Sequence, residues 1–177
     1  MIRRFFCCLL AMACLTVPVA SAEDISRELI RLHVVAQSDS AADQALKLAL
    51  RDTCLRCAEV CVGDAPDADA AYMRLKAHLD DFQRACEARA AELGFEGEIT
   101  VETGVFHFPD RLYGKTLVHA GDYRALKITV GEGGGHNWWC VLYPGLCALD
   151  ESHYAGDNPV YYSQILRWIE EKIGGLK

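Results

Sequence analysis

Apolar and polar residues alternate over residues 29–37, the first clearly patterned stretch of the chain. Ile30 and Leu32 fall on one side of this alternation, whereas Arg31 and His33 fall on the other. A period of two residues is typical of a β-strand, because successive side chains of a strand point to opposite faces. The pattern therefore predicts a strand with one buried face and one exposed face.

Two helical patterns follow this strand. The polar triplet 38–40 offers side chains that can cap a helix N-terminus, and apolar residues then recur at helical spacing over residues 41–62. Turn-forming residues at 63–66 end the first helix. A second helix is predicted over residues 67–93, and Gly94 is placed to end it in a left-handed cap. The apolar stripe of this second helix consists of Tyr72, Leu75, Leu79, Phe82 and Cys86.

The remaining pattern is mostly that of strands. Residues 98–108 and 123–130 both alternate, and residues 109–122 between them predict either a long loop or a short broken hairpin. A last helix is predicted over residues 159–173. Without a repeat or a low-complexity linker, this order indicates one compact α+β domain, with a small, mostly antiparallel sheet, a two-helix hairpin and a C-terminal helix.

The first 22 residues have the layout of a secretory signal peptide. Arg3 and Arg4 precede an apolar run at 5–19, and a small-residue site of the A-x-A type follows at 20–22. The run is shorter than the roughly 20 residues that a membrane-spanning helix needs. We therefore expect cleavage after residue 22 and a mature domain of residues 23–177. An uncleaved anchor and a lipid on Cys14 remain as alternatives.

The charge of the chain argues against two classes of partner. The formal net charge is −7, and Lys and Arg never form a cluster longer than two residues. Nucleic acid and anionic lipid surfaces are therefore poor partners. Peripheral contact with a membrane stays open.

Three cysteines at helical spacing suggest either a metal site or core packing. Cys54, Cys57 and Cys61 share one helical face, which favours packing, although a metal or a disulfide is left open. An antiparallel hairpin that turns near Ala65 would place Cys86 about ten residues from Cys54, or on the order of 15 Å. That separation argues against a shared zinc site and against a Cys54–Cys86 disulfide, whose Cα atoms must lie within about 7 Å.

The segment 131–147 combines glycines, two tryptophans and two cysteines. A phosphate-binding loop would need a helix after the glycines, but the residues that follow are strand-like, so a turn between two strands is favoured. Cys140 and Cys147 flank a Pro-Gly turn signal that can bring their sulfurs together. An exported domain permits a disulfide here, worth about 2–3 kcal/mol, and two buried thiols are the alternative.

No catalytic or cofactor motif emerges from the sequence. The patterns H-E-x-x-H, G-x-S-x-G and Asp-Thr-Gly are absent, and the histidines outside the 131–147 segment are isolated. We therefore expect no enzyme, no metal and no cofactor. The alternatives from other classes are a secreted cysteine-dependent hydrolase that uses Cys140, a thiol-redox protein that uses Cys54 and Cys57, and a passive cell-envelope binding domain.

Two blocks of the sequence closely resemble the stage II sporulation protein R family. They are residues 29–52, LIRLHVVAQSDSAADQALKLALRD, and residues 113–147, YGKTLVHAGDYRALKITVGEGGGHNWWCVLYPGLC. The chain departs from the family at Gly145, where a second Pro is usual, and in its richness in Cys. The helix between the two blocks matches the family in its general character but not residue by residue.

The resemblance implies a signal rather than an enzyme. Proteins of this family are made in the forespore and exported into the space between forespore and mother cell. There they activate a membrane-embedded aspartic protease of the mother cell, which processes the precursor of sigma-E. The resemblance thus implies this protease as the partner and the intermembrane space as the location.

A protein signal needs a recognition surface, and both blocks offer candidate residues for one. Adjacent side chains of a strand face opposite ways, so the two tryptophans cannot both lie in one core. We expect one of them to be exposed or to sit under a loop, where it could act as a binding hot spot. The candidate recognition residues are Ser38, Asp39, Ser40, His136, Asn137, Trp138 and Trp139.

Overall fold

The computed structural model describes residues 26–113 and 116–144. After a helical turn at residues 26–28, three longer helices and six strands occur in this part of the chain. In chain order they are β1 (Ile30–Val35), α1 (Ala41–Val62), α2 (Ala68–Ala77), α3 (Leu79–Glu92), β2 (Ile99–Phe108), β3 (Arg111–Tyr113), β4 (Thr116–Val118), β5 (Gly121–Val130) and β6 (Asn137–Tyr143).

Four of the strands form one mixed sheet in the order β2-β5-β1-β6. Strand β1 is parallel to β5 and antiparallel to β6, and β2 is antiparallel to β5. Strands β3 and β4 form a separate two-stranded sheet, which corresponds to the short broken hairpin expected between the long strands. The α+β architecture with a mostly antiparallel sheet is confirmed. The predicted signal peptide and the predicted helix at 159–173 lie outside the described residues.

Strand β1 is buried on both faces, so the expectation of one exposed face is wrong. Ile30 and Leu32 belong to the main core, which the sheet forms with the helices. Arg31 and His33 point to the other face and are only 0% and 8% exposed. A second apolar cluster covers that face; its buried members are Leu29, Phe108, Val118, Tyr123, Ala125 and Val141.

The cation of Arg31 lies over aromatic rings within this second cluster. Its guanidinium carbon is 4.3 Å from the ring centroid of Phe108 and 5.0 Å from that of Tyr123. Aromatic faces carry partial negative charge and attract cations, most strongly where water is excluded. This contact helps to explain how a charged residue is accommodated at the centre of the sheet.

Helix α1 begins and ends where the sequence indicates. The hydroxyl of Ser40 accepts a hydrogen bond from the backbone N–H of Asp43 at 3.1 Å, which satisfies one of the free donors of the first turn. At the other end, the N–H of Gly63 donates to the carbonyl of Glu59 at 3.1 Å. The N-terminus of α1 therefore sits directly after β1, at the end of the sheet where residues 36–40 leave the strand.

The second predicted helix is broken into α2 and α3 at His78. The backbone of His78 has φ −108° and ψ 16°, which is outside the regular helical range, although no Pro or Gly marks the position. The predicted apolar stripe is largely confirmed. Leu75, Phe82 and Cys86 are buried, and Tyr72 and Leu79 pack against the core from its edge. Gly94 has a φ of +76°, as expected for a left-handed cap. Among the described residues, no helix combines the length and apolar character that a membrane crossing would need.

Candidate recognition surface

The sheet topology brings together the two sequence blocks that resemble one family. Because β1 and β6 are antiparallel neighbours, the end of β1 and the start of β6 lie at the same edge, where Val35 pairs with Asn137. Residues 37–40 and 131–137 therefore meet, although about a hundred residues separate them in sequence. We refer to these two segments as the paired-loop surface.

Glycines allow the two loops of the paired-loop surface to touch through their backbones. The N–H groups of Gly134 and Gly135 donate to the carbonyls of Gln37 and Ala36 at 3.1 and 2.9 Å. A Cβ on Gly135 would lie 2.4 Å from the carbonyl oxygen of Ser38, which is too close for any other residue. Gly131 has a φ of +55° and turns the chain out of β5. The glycine segment thus connects two strands, as the sequence indicates, and β6 rather than a helix comes directly after it.

Asp39 and His136 form the exposed centre of the paired-loop surface. One carboxylate oxygen of Asp39 accepts a hydrogen bond from the backbone N–H of His136 at 2.7 Å and lies 2.5 Å from its Nδ1. The backbone hydrogen bond and then the side-chain contact with His136 lower the pKa of Asp39. The side chains of His136 and Asp39 are 80% and 55% exposed, so a partner can reach both.

Two residues of α1 that the sequence analysis did not select, Lys47 and Gln44, hold the backbone of both loops beside this pair. The ammonium of Lys47 donates to the backbone carbonyl of His136 at 3.1 Å and to the side-chain oxygen of Gln44 at 2.6 Å. Gln44 in turn donates to the carbonyl of Ser38 at 2.9 Å. Lys47 is only 6% exposed, and burial lowers its pKa. The sequence signal that could have indicated Lys47 is its position next to the apolar Leu46, on the side of the helix that faces the core.

The two serines of the triplet have structural roles. Ser40 caps α1. The hydroxyl of Ser38 donates a hydrogen bond to the carboxylate of Asp43 and accepts one from the backbone N–H of Ser40 at 3.1 Å. These contacts hold the loop in shape and leave Asp39 as the member of the triplet that engages the other loop. The recognition role of all three residues stays a prediction.

The adjacent tryptophans lie on opposite faces of β6, as the strand pattern predicts. Trp138 packs at the edge of the main core, with the guanidinium carbon of Arg51 at 4.4 Å from its ring centroid. Trp139 belongs to the second cluster and stacks on His33 at a centroid distance of 3.7 Å and an angle of 14°. Arg111 of the β3–β4 hairpin approaches the same indole, at 6.0 Å. Both indoles are half-buried, so neither lies free on the surface.

Asn137, at the edge of the paired-loop surface, lies near the buried His33. Burial lowers the pKa of His33 to about 4, the positive charges of Lys127 and Arg31 act in the same direction, and the nearby side chain of Asn137 opposes them in part. His33 is therefore neutral near pH 7. The exposed Asn137 shares its face of β6 with Trp139, which stacks on His33 in the second cluster.

Two of the cysteines, in α1 and α3, lie much closer together than the sequence indicates. The sequence argument that Cys86 lies far from Cys54 is wrong, because their sulfurs are 3.3 Å apart. The break at His78 is the reason. The separation of about 15 Å expected from the sequence assumed one straight second helix, whereas α3 packs against α1 as a separate helix. Cys57 and Cys61 are half-buried, and burial raises the pKa of both thiols.

Neither a metal site nor a cysteine nucleophile is favoured by this geometry. Within residues 26–113 and 116–144, no group of three or more His, Cys, Asp or Glu side chains could hold a metal ion. Cys140 is 2% exposed within the main core and pairs with Leu32 of β1. Cys147 lies outside the described residues, so the pairing of these two cysteines stays a prediction.

The fold and the paired-loop surface define a one-domain α+β protein whose exposed polar centre is built from two distant loops. Residues 26–153 match the family model described as stage II sporulation protein R. The chain is 36% identical over 129 residues to the stage II sporulation protein R of Bacillus subtilis (strain 168). That match covers 73% of this chain and 58% of the relative. No solved structure matches the chain. The protein belongs to the stage II sporulation protein R family.

Proposed function

We propose that this protein is a secreted intercompartmental signal of endospore formation. In this proposal it leaves the forespore through its N-terminal signal, residues 1–22, and acts in the space between forespore and mother cell. Its partner there is the membrane-embedded aspartic protease that processes the sigma-E precursor, and binding activates that protease. Membership of the family supports the role in sporulation, and the sequence resemblance supports the finer step to the protease.

The observation that carries the proposal is the convergence of the two resembling blocks on one exposed surface. A buried core would explain why these blocks contain apolar residues, but it does not explain an exposed Asp39–His136 pair held by Lys47 and Gln44. A rigid, charged and accessible group of this kind suits recognition of another protein, because little side-chain freedom remains to be lost on binding. No metal, cofactor or nucleic acid is needed for such a role.

The thiol-based alternatives receive less support from the described residues. A cysteine hydrolase needs a thiol beside a His in a polar pocket, whereas Cys140 lies among apolar neighbours. A thiol-redox motif works best where the thiol pKa is lowered at a helix N-terminus. Cys54 and Cys57 lie in the middle of α1, and burial raises the pKa of Cys57.

Reconstitution in a non-sporulating host tests the proposal. The host would contain the protease, the sigma precursor and this protein, and conversion of the precursor would be followed on gels. We expect conversion with the complete chain and a loss of roughly tenfold or more with His136→Ala, which removes the exposed ring but keeps the backbone hydrogen bond to Asp39.

A second surface Asp–His pair supplies the matched control. Asp110 accepts the N–H of Ala120 at 2.5 Å and lies 3.8 Å from His119, with side chains as exposed as those of the paired-loop surface. His119→Ala should leave conversion of the precursor unchanged. Equal losses for His119→Ala and His136→Ala would remove the paired-loop surface from the proposal, and no conversion with the unaltered chain would refute the activation itself.

A further inference from the structure

Two buried thiols from different helices touch in the main core. The sulfurs of Cys54 in α1 and Cys86 in α3 are 3.3 Å apart, and both residues are 0% exposed. Thirty-two residues separate them in sequence. At this distance one thiol donates a weak hydrogen bond to the other, so the pair is a reduced dithiol across the interface between the two helices.

We propose that Cys54 and Cys86 form a redox modification site, in which a disulfide-containing oxidant converts the dithiol into a covalent link between α1 and α3. The sulfurs would have to approach from 3.3 Å to about 2.05 Å, a change of roughly 1 Å. A change of this size in the sulfur–sulfur distance does not require α1 and α3 to move apart or exchange neighbours. The inference does not depend on the proposed signalling function.

The reaction is a thiol–disulfide exchange in two steps. The thiolate of one cysteine attacks a sulfur of the oxidant, which forms a mixed disulfide and releases one reduced thiol. The thiolate of the second cysteine then attacks the protein sulfur of that mixed disulfide. This step closes the Cys54–Cys86 bond and releases a second reduced thiol. Two electrons pass to the oxidant, and the two protons lost by the cysteines balance those gained by the released thiolates.

Burial determines when this exchange can take place. The hydrogen bond with Cys86 and burial both raise the pKa of Cys54, so its thiolate is scarce while the core is closed. The link therefore forms while the chain folds, or when α3 opens from α1. Once formed, the bond is inaccessible to small reductants for the same reason. Cys57 and Cys61 are half-exposed on the same helix and serve as internal comparisons.

Peptide mapping of the full chain tests the site. The reduced chain would be refolded in a buffer of reduced and oxidised glutathione, quenched with acid, unfolded, alkylated and digested without reductant. We expect Cys54 and Cys86 in one linked fragment, with the link retained in Cys57→Ser and Cys61→Ser. Full alkylation of both Cys54 and Cys86, or linkage of Cys86 to Cys57 instead, would overturn the proposal.

A thermal measurement gives an independent readout. A link that closes a loop of this length should raise the melting temperature by roughly 10 °C. Adding a reductant during unfolding should therefore lower the midpoint of the refolded wild type by about that much more than the midpoint of Cys86→Ala, which retains the other cysteines. Equal effects of the reductant on both proteins contradict the site. Should Cys86→Ala fail to fold, the mapping experiment decides alone.

Discussion

His33 has a buried imidazole that stacks on Trp139, so water solvates its charged form poorly. Its pKa falls to about 4 from 6.5, so the folded protein resists protonating it. The unfolded chain binds this proton below about pH 6.5, whereas the folded chain does so only near pH 4. The contribution of the neutral His33 to the free energy of unfolding is therefore complete above pH 6.5. It is lost as the pH falls from 6.5 towards 4.

This titration gives a prediction for His33→Phe, which keeps an aromatic ring against Trp139 but cannot be protonated. Between pH 7 and pH 4.5 the wild type should lose more unfolding free energy than the variant. The upper limit of the difference is about 3 kcal/mol, from a pKa shift of about 2.5. Urea unfolding at both pH values measures it. Parallel losses in the two proteins would show that His33 does not control the acid response.

The two tryptophans should behave alike in stability, since both are half-buried. Replacement of either Trp138 or Trp139 by Ala removes aromatic packing and should destabilise by roughly 2–4 kcal/mol. Precursor conversion should fall in step with stability for Trp138, whose face meets the helices. For Trp139 an additional loss is expected, because it shares its face of β6 with Asn137 of the paired-loop surface. Melting temperature and conversion, measured together for both variants, separate the two effects.

At the scale of elements, the glycine loop packs closely against the backbone of residues 37–38. Gly135→Ala would place a Cβ against the backbone of Ser38, which cannot move away as a side chain could. We expect a loss of roughly 1–3 kcal/mol in stability, together with reduced precursor conversion, because the loops separate. Gly121→Ala is the control, since its nearest neighbour is a Tyr123 ring carbon at 3.5 Å. Comparable melting temperatures for the two variants would contradict this view of the loop.

Sequence patterns located most of the elements but not their mutual placement. The ends of α1 and the cap at Gly94 follow from local chemistry, namely a capping Ser and a residue without a Cβ, and could be predicted. The break at His78 could not, because neither Pro nor Gly marks it. The contact of Cys54 with Cys86 depends on that break and was therefore missed.

The burial of β1 on both faces was missed for a related reason. Alternation along a strand reports which residues are polar, but it does not show what covers them. The second apolar cluster takes Phe108, Tyr123 and Val141 from three other strands, and these neighbours are known only once the strand order is known. The paired-loop surface likewise needed the β1–β6 pairing, although its main residues had been selected from the sequence.

At the scale of the whole molecule, the proposal predicts that export is required for signalling. A chain without residues 1–22 should remain folded and soluble in the host cytosol but should not cause precursor conversion. Gel analysis of conversion, with circular dichroism of the purified truncated chain, measures both points. Conversion by the cytosolic form at the level of the complete chain would contradict the requirement for export.

The parallel pairing of β1 with β5 has a consequence for how the chain would mature during translocation. Strand β1 emerges early from a pore that passes the N-terminus first, but its neighbours in the sheet, β5 and β6, begin only at residues 121 and 137. Contacts so distant in sequence form late, because a long loop must close before they contribute. A partly translocated chain therefore cannot present Asp39 joined to His136. In the proposed signal, this topology would act as a completion check that reports a fully delivered chain.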